Sequence, residues 1–220
     1  MPNFQGVWDL RTQFQYAGEW PSPPDIAVFG MGTTSATNDS ATIDTVNFGS
    51  GGNATDWGDI GVGAREPAGS GSSTRGLFSG GNFESSGVLN TIQYITIATT
   101  GDSVDFGDAG STGAGAGLSN STRGIIAGGG TSPHQNAIEY LTIATLGNTS
   151  DFGDLNQGNE GASGVSSPTR GVIGGMKTPS TFNTLEYIEI PTTGNAIDFG
   201  DIGGSWWSMS GTSNGHGGLG

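Results

Sequence analysis

The sequence predicts an all-β protein made of four copies of one short-stranded unit. One phrase, Asp followed by an aromatic residue, Gly and Asp, occurs at residues 56–59, 105–108, 151–154 and 198–201. The first aspartates of these copies are 49, 46 and 47 residues apart. A period of roughly 40–50 residues is typical of propellers, solenoids and other arrays. A residue present in every copy is therefore expected to belong to the scaffold.

The composition narrows the possible partners. The net charge is −14 with only six basic residues, so a nucleic acid or an anionic membrane would be repelled. The absence of cysteine excludes disulfides and zinc sites built on cysteine. The chain shows neither a signal-peptide pattern nor an apolar stretch long enough to span a bilayer, so no membrane insertion is expected.

Each unit is expected to contain about four short strands. In the second unit, residues 90–98 are rich in β-branched and aromatic side chains and contain no proline, which indicates a strand. Alternation places Ile92 and Tyr94 on one face and Ile95 and Ile97 on the other, so both faces are apolar. That pattern is typical of a sheet packed between two neighbouring sheets. The 43 glycines then serve as turn residues between strands.

A family resemblance follows from the order of residues within the unit. An Arg precedes an apolar strand, a Gly-Gly pair (80–81, 128–129 and 174–175), a Tyr-bearing strand and a final aromatic residue. This order resembles the kelch repeat and implies a kelch-like β-propeller of four blades over residues 23–220. The blade units are expected at about 23–60, 61–109, 110–155 and 156–202, and residues 203–220 form a closing strand and tail.

The first unit is predicted to lack its first strand, because the Arg positions 75, 123 and 170 have no counterpart there. Residues 206–214 are expected to supply that strand and to close a ring of four blades. The alternative is an open ring that another subunit completes.

Residues 1–22 do not fit the repeat and are interpreted as an N-terminal arm. Aromatic and apolar side chains dominate interface hot spots, so the arm is expected to dock the protein to partners. The docking candidates are Phe4, Trp8, Leu10, Phe14, Tyr16 and Trp20. The alternative is that the arm packs back on the propeller.

The repeated charged residues are predicted to be scaffold. Each Arg is expected to pair with an Asp carboxylate or with carbonyls at strand ends. The Asn and Asp residues at the turns before the phrase are expected to bond to their own backbone rather than to bind calcium. The scaffold set is Arg75, Arg123, Arg170, Asp56, Asp105, Asp151 and Asp198.

Loops that differ between units are the better candidates for binding, since variable loops on a rigid scaffold commonly carry function. The candidates are Phe83, Glu84, His134, Gln135, Lys177 and Phe182. The alternative is that these loop tips have no selected role. No catalytic residue, metal site or cofactor is expected, because no nucleophile motif surrounds any Ser and Asp-Phe-Gly stands here without the other kinase motifs.

A second resemblance concerns function. Residues 183–190 and 194–201, the opening 6–10 and the closing 213–219 are similar to phrases in repeat-rich virion proteins of marine tailed phages. The resemblance implies a phage particle protein. We expect a non-enzymatic structural protein of the tail, neck or capsid that binds other virion proteins and is homo-oligomeric in the particle, with a host-surface glycan or protein as a candidate partner. The alternatives are a lectin-like module and a propeller-type glycosidase, which needs paired carboxylates at a pocket.

Overall fold

A computed structural model describes residues 26–35, 38–83, 87–110, 113, 115–130, 133–177 and 180–214. The predicted arm with its six docking candidates, Glu84 and residues 215–220 lie outside the described residues. Where it is described, the chain is all-β, and its sheets are antiparallel. This confirms the prediction that the fold is all-β. The same part of the chain contains no helix long and apolar enough to cross a bilayer.

The strands form four successive sheets, one for each predicted unit. The first sheet contains β1 (Ile26–Gly30), β4 (Thr42–Asn47) and β5 (Thr55–Asp59). Between β1 and β4 in the sequence, β2 (Thr33–Ser35) and β3 (Asn38–Asp39) form a separate two-stranded hairpin. The second contains β6 (Ala68–Gly71), β7 (Arg75–Phe83), β8 (Gly87–Thr96) and β9 (Val104–Asp108). The third contains β10 (Ala116–Ser119), β11 (Arg123–Gly129), β12 (Gln135–Thr142) and β13 (Ser150–Asn159). The fourth contains β14 (Ser163–Ser166), β15 (Arg170–Gly174), β16 (Thr184–Glu189) and β17 (Ile197–Asp201).

Three sheets have the expected four strands, and the first has three. Residues 202–214 form no named strand; they lie beside the fourth sheet. Ser213 Oγ donates to the Ser166 carbonyl (2.7 Å), as Ser166 Oγ does to Ser119 (2.8 Å) one unit earlier. The C-terminal segment therefore occupies the place where the first strand of a further unit would lie. Among the described strands, β1 pairs only with β4.

The hydrophobic core lies between the sheets, in three clusters. The first joins Ile43, Trp57 and Ile60 of the first sheet to Phe78 and Ile95 of the second. Equivalent residues fill the next two junctions, between the second and third sheets and between the third and fourth. The middle strands of the second and third sheets are apolar on both faces because each of these sheets packs against two others. This stacking is propeller-like, and the described strands form no closed sheet.

Candidate functional site

The repeated aromatic residue is the centre of each junction between sheets. Trp57, Phe106 and Phe152 are buried, at 7%, 2% and 2% exposure, and the following sheet packs on them. The glycine after the aromatic allows that approach: a Cβ on Gly107 would lie 2.5 Å from the carbonyl of Gly147 in the next sheet. The phrase therefore builds the architecture of the molecule.

The turn residues four positions before each aromatic residue make contacts that the sequence did not predict. Asn148 Oδ1 accepts a hydrogen bond from the Asp108 amide (3.0 Å), and Asn195 Oδ1 accepts one from Asp154 (3.1 Å). Asp102 accepts in the same way from Asp59 (3.0 Å). These side chains thus bond to the preceding sheet rather than to their own turn. In the described part of the chain, no three acidic or His side chains gather in a way that could hold a metal ion.

The repeated arginines also bridge the junctions. Arg75 donates to the carbonyl of Ile143 (2.7 Å) and Arg123 donates to that of Ile190 (2.9 Å), each in the next sheet. Each guanidinium lies over the Tyr ring of its own sheet, with Arg123 4.7 Å from the centre of Tyr140. Arg170, which has no following sheet, pairs with Glu189 at 2.5 Å, a carboxylate that the sequence reasoning did not name.

The four first aspartates of the phrase, Asp56, Asp105, Asp151 and Asp198, are exposed on the outermost strands. Asp198 accepts from the amide of Gly200 (3.0 Å), within its own turn. The side chains that accept hydrogen bonds across each junction belong instead to the neighbouring strand. They stand at positions 93, 139 and 186. Sequence reasoning missed this position, although it holds Gln or Glu in three successive units.

Glu186 is the most buried member of that set. It is 2% exposed, and its Oε2 accepts from the Asn156 amide of the preceding sheet (3.0 Å). Burial raises the pKa of its carboxyl group above the ordinary range, and the hydrogen bonds from Asn156 oppose that rise. The equivalent Gln93 makes the same bond to Gly61 (2.7 Å) without a charge.

The side chains that break the repeat gather around one cavity. It measures about 480 Å³, and its lining includes Glu66, Glu160 and Trp207. Four residues at equivalent positions, each just before an innermost strand or its C-terminal counterpart, also line it: Pro67, Gly115, Ala162 and Met209. The cavity therefore marks the place around which successive units are arranged.

Two of the predicted loop residues meet beside this cavity. His134 Nδ1 lies 3.6 Å from Glu160 Oε2, and Lys177 Nζ lies 3.4 Å from Glu160 Oε1. Lys177 also sits 4.2 Å from the centre of the Trp207 ring. Glu160 thus joins a loop of the third unit to a loop of the fourth. Sequence reasoning missed Glu160 and Trp207, although both, like His134 and Lys177, differ from their counterparts in other units.

The other predicted loop residues make different contacts. Phe83 ends β7 and pairs with Gly87 across a hairpin, whereas Gln135 begins β12 and pairs with Asn159. Phe182 is half-buried and packs against the cluster between the third and fourth sheets.

No protein-family model and no curated protein matches the sequence.

Proposed function

We propose that this chain is a non-enzymatic structural protein of a tailed-phage particle, in which kelch-like blades display a binding surface. Each chain contributes four blades, one for each sheet. Residues 206–214 would provide the inner strand that the first sheet lacks, either in the same chain or in a neighbouring copy. The arm at residues 1–22 would dock the chain to other virion proteins, and the blades would face a host-surface glycan or protein.

The observation that carries this proposal is that repeated and unrepeated side chains occupy different places in the structure. The recurring aromatic and Arg residues hold one sheet to the next, so they are occupied by the architecture. The unrepeated Glu160, Lys177 and Trp207 gather at one opening. A scaffold of this kind presents a surface without assembling a catalytic constellation. The similarity of residues 183–190 and 194–201 to phage phrases supports the particle assignment.

Imaging of phage particles tests this role most directly. An antibody against the chain should label particles of the phage that encodes it at one fixed position in negative-stain images, and mass spectrometry of purified particles should detect the chain. A chain found only in the infected cell, and never in particles, would contradict a structural role.

Glycan binding is the second candidate, and the cavity favours it. A Trp beside carboxylates is chemistry suited to sugar, because the ring packs on C–H groups and the acids accept from hydroxyls. If the cavity binds glycans, hits on a glycan array should be lost in both Trp207→Ala and Glu160→Gln. Gradual cleavage of the bound glycan would instead indicate the glycosidase alternative, with Glu66 and Glu160 as its carboxylates. An array without hits would remove both.

A further inference from the structure

The two ends of the series of sheets carry faces that match each other and are uncovered. In every internal junction, one sheet contributes residues of the Ile92, Phe106 and Ala109 type, and the next contributes residues of the Ile126, Leu141 and Ile143 type. The fourth sheet repeats the first type with Leu185, Phe199 and Ile202, here called the trailing face. The first sheet repeats the second type with Phe29, Val46 and Phe48, here called the leading face.

Exposure shows that both faces lack the packing that their counterparts have. Phe199 is 51% exposed, whereas Phe106 and Phe152 at the same position are 2% exposed. Phe48 is 65% exposed, whereas Ile143 and Ile190 are 2% and 0% exposed. Phe29 is 61% exposed, compared with 5% for Ile126. Aromatic surface of this extent on a repeated, structured face marks an interaction site rather than random exposure.

The backbone groups of the two ends are complementary as well. In the three internal junctions, the turn glycine donates to the aromatic carbonyl, as Gly194 does to Phe152 at 2.7 Å. The same relation would join Gly52 to Phe199. Asn53 matches Asn195, whose amide oxygen accepts from Asp154, so Asn53 would accept from Asp201. A Cβ built on Gly200 meets nothing within 4 Å, whereas those built on Gly107 and Gly153 strike the next turn.

Two side chains complete the match. Arg75 and Arg123 donate to carbonyls of the following sheet, and the carbonyl that continues the series for Arg170 is that of Phe48. Glu186 accepts from Asn156 of the preceding sheet, and the pair that continues this series is Asp44 with the amide of Gly203. These four kinds of polar contact at an internal junction therefore each have one partner on either end of the molecule.

We infer that the trailing face of one copy binds the leading face of a second copy, so that chains assemble head to tail. A four-unit ring turns about 90° at each junction, and three such turns would place the fourth sheet against the first. In the described residues the first and fourth sheets leave Phe29, Phe48 and Phe199 exposed, so these two sheets do not form such a junction with each other in one copy. A second copy offers the same interface that already joins the sheets within one chain. Such a heterologous contact continues into a larger ring or an open series.

Single-face variants of the full chain test this inference. The wild-type chain should gain mass with concentration in sedimentation velocity experiments, whereas Phe199→Asp and Phe48→Asp should each weaken assembly more than about tenfold, as expected for a buried aromatic anchor. Both side chains are exposed in a single copy, so the melting temperature should stay close to that of the wild type. Mixing the two variants should restore dimers and nothing larger, because each variant retains one intact face.

Disulfide trapping identifies the partner of each face. The chain has no cysteine, so the double variant Ala54→Cys with Asp201→Cys allows one disulfide within a chain, and a head-to-tail contact would form the 54–201 pairing between chains. The matched control is Asp154→Cys with Ala196→Cys, at equivalent positions of an internal junction where the Ala196 amide donates to Asp154 (2.8 Å). The control should cross-link within one chain, and the test pair should cross-link between chains.

A test pair that closes within one chain would overturn the inference and show that the ring closes on itself. A wild-type chain that stays monomeric at all concentrations, with no cross-link between chains, would overturn it too. The inference does not depend on the virion assignment: failure to find the chain in particles leaves assembly in solution unaffected, and failure to assemble leaves the imaging result unaffected.

Discussion

The position occupied by Gln93, Glu139 and Glu186 shows how one residue can matter differently in equivalent units. All three side chains accept a hydrogen bond from a backbone amide of the preceding sheet, with N···O distances of 2.7–3.0 Å. Gln93 does so without charge, whereas Glu186 does so at 2% exposure, where a carboxylate loses its hydration. The raised pKa of Glu186 is the consequence of that burial.

Replacing Glu186 with Gln should therefore stabilise the protein near neutral pH. An acid with a raised folded-state pKa contributes stability at low pH, and that contribution is lost as the pH rises past its unfolded value of about 4.3. The gain in melting temperature from Glu186→Gln should be absent near pH 4 and reach a few degrees at pH 7. Thermal melts across this range measure it. The half-buried Glu139→Gln is the matched control and should show a smaller gain; equal gains in both variants would argue against burial as the cause.

At the scale of the structural element, the junction is a sheet pressed against the turn of the next sheet. The glycine of the repeated phrase has a positive φ, +144° at Gly107, and it faces the Gly147 turn directly. The turn of the next sheet also forms hydrogen bonds to this strand, through a side-chain oxygen that accepts and a backbone amide that donates. The turn of one unit is thus part of the packing of the unit before it.

The substitution Gly107→Ala should break such a junction. Its Cβ would lie 2.5 Å from backbone atoms that cannot move aside, so we expect a loss of more than about 2 kcal/mol in the free energy of unfolding. Gly200→Ala carries the same backbone strain, with φ at +129°, but has open space around it, so about 1 kcal/mol is expected. Urea denaturation of both variants at a concentration where the wild type is monomeric gives the comparison. Equal losses would mean that backbone conformation alone, and not the approach of the next sheet, requires this glycine.

The sequence predicted the sheets better than it predicted which faces at the two ends of the series stay uncovered. The period and the two-faced strands were enough to place the sheets and to assign the repeated Asp, Arg and aromatic residues to architecture. Phe152 and Phe199 stand in identical phrases, however, and only their neighbours in space make one buried and the other exposed. The sequence predicted two of the four residues in the cluster at the cavity. His134 and Lys177 lie in loops that differ between units, whereas Glu160 and Trp207 lie in segments that continue strands or follow the last unit.

At the scale of the whole molecule, the high net charge opposes the association that the trailing and leading faces favour. Each chain carries a charge of −14, so copies that approach repel one another. Most of the contacts that would join them are apolar or pair backbone groups, and salt does not weaken these. The acidity of the chain can therefore regulate an assembly whose interface it does not form.

Association of the wild-type chain should consequently strengthen as salt is added. The screening length falls from about 30 Å at 0.01 M to about 10 Å at 0.1 M ionic strength, which removes most of the long-range repulsion between copies. Sedimentation velocity at low and moderate NaCl, at one protein concentration, should show a larger assembled fraction at the higher salt, whereas Phe199→Asp should remain monomeric in both. Weaker association at higher salt would mean that opposite charges, with Arg170 the foremost candidate, hold the ends together rather than the apolar faces.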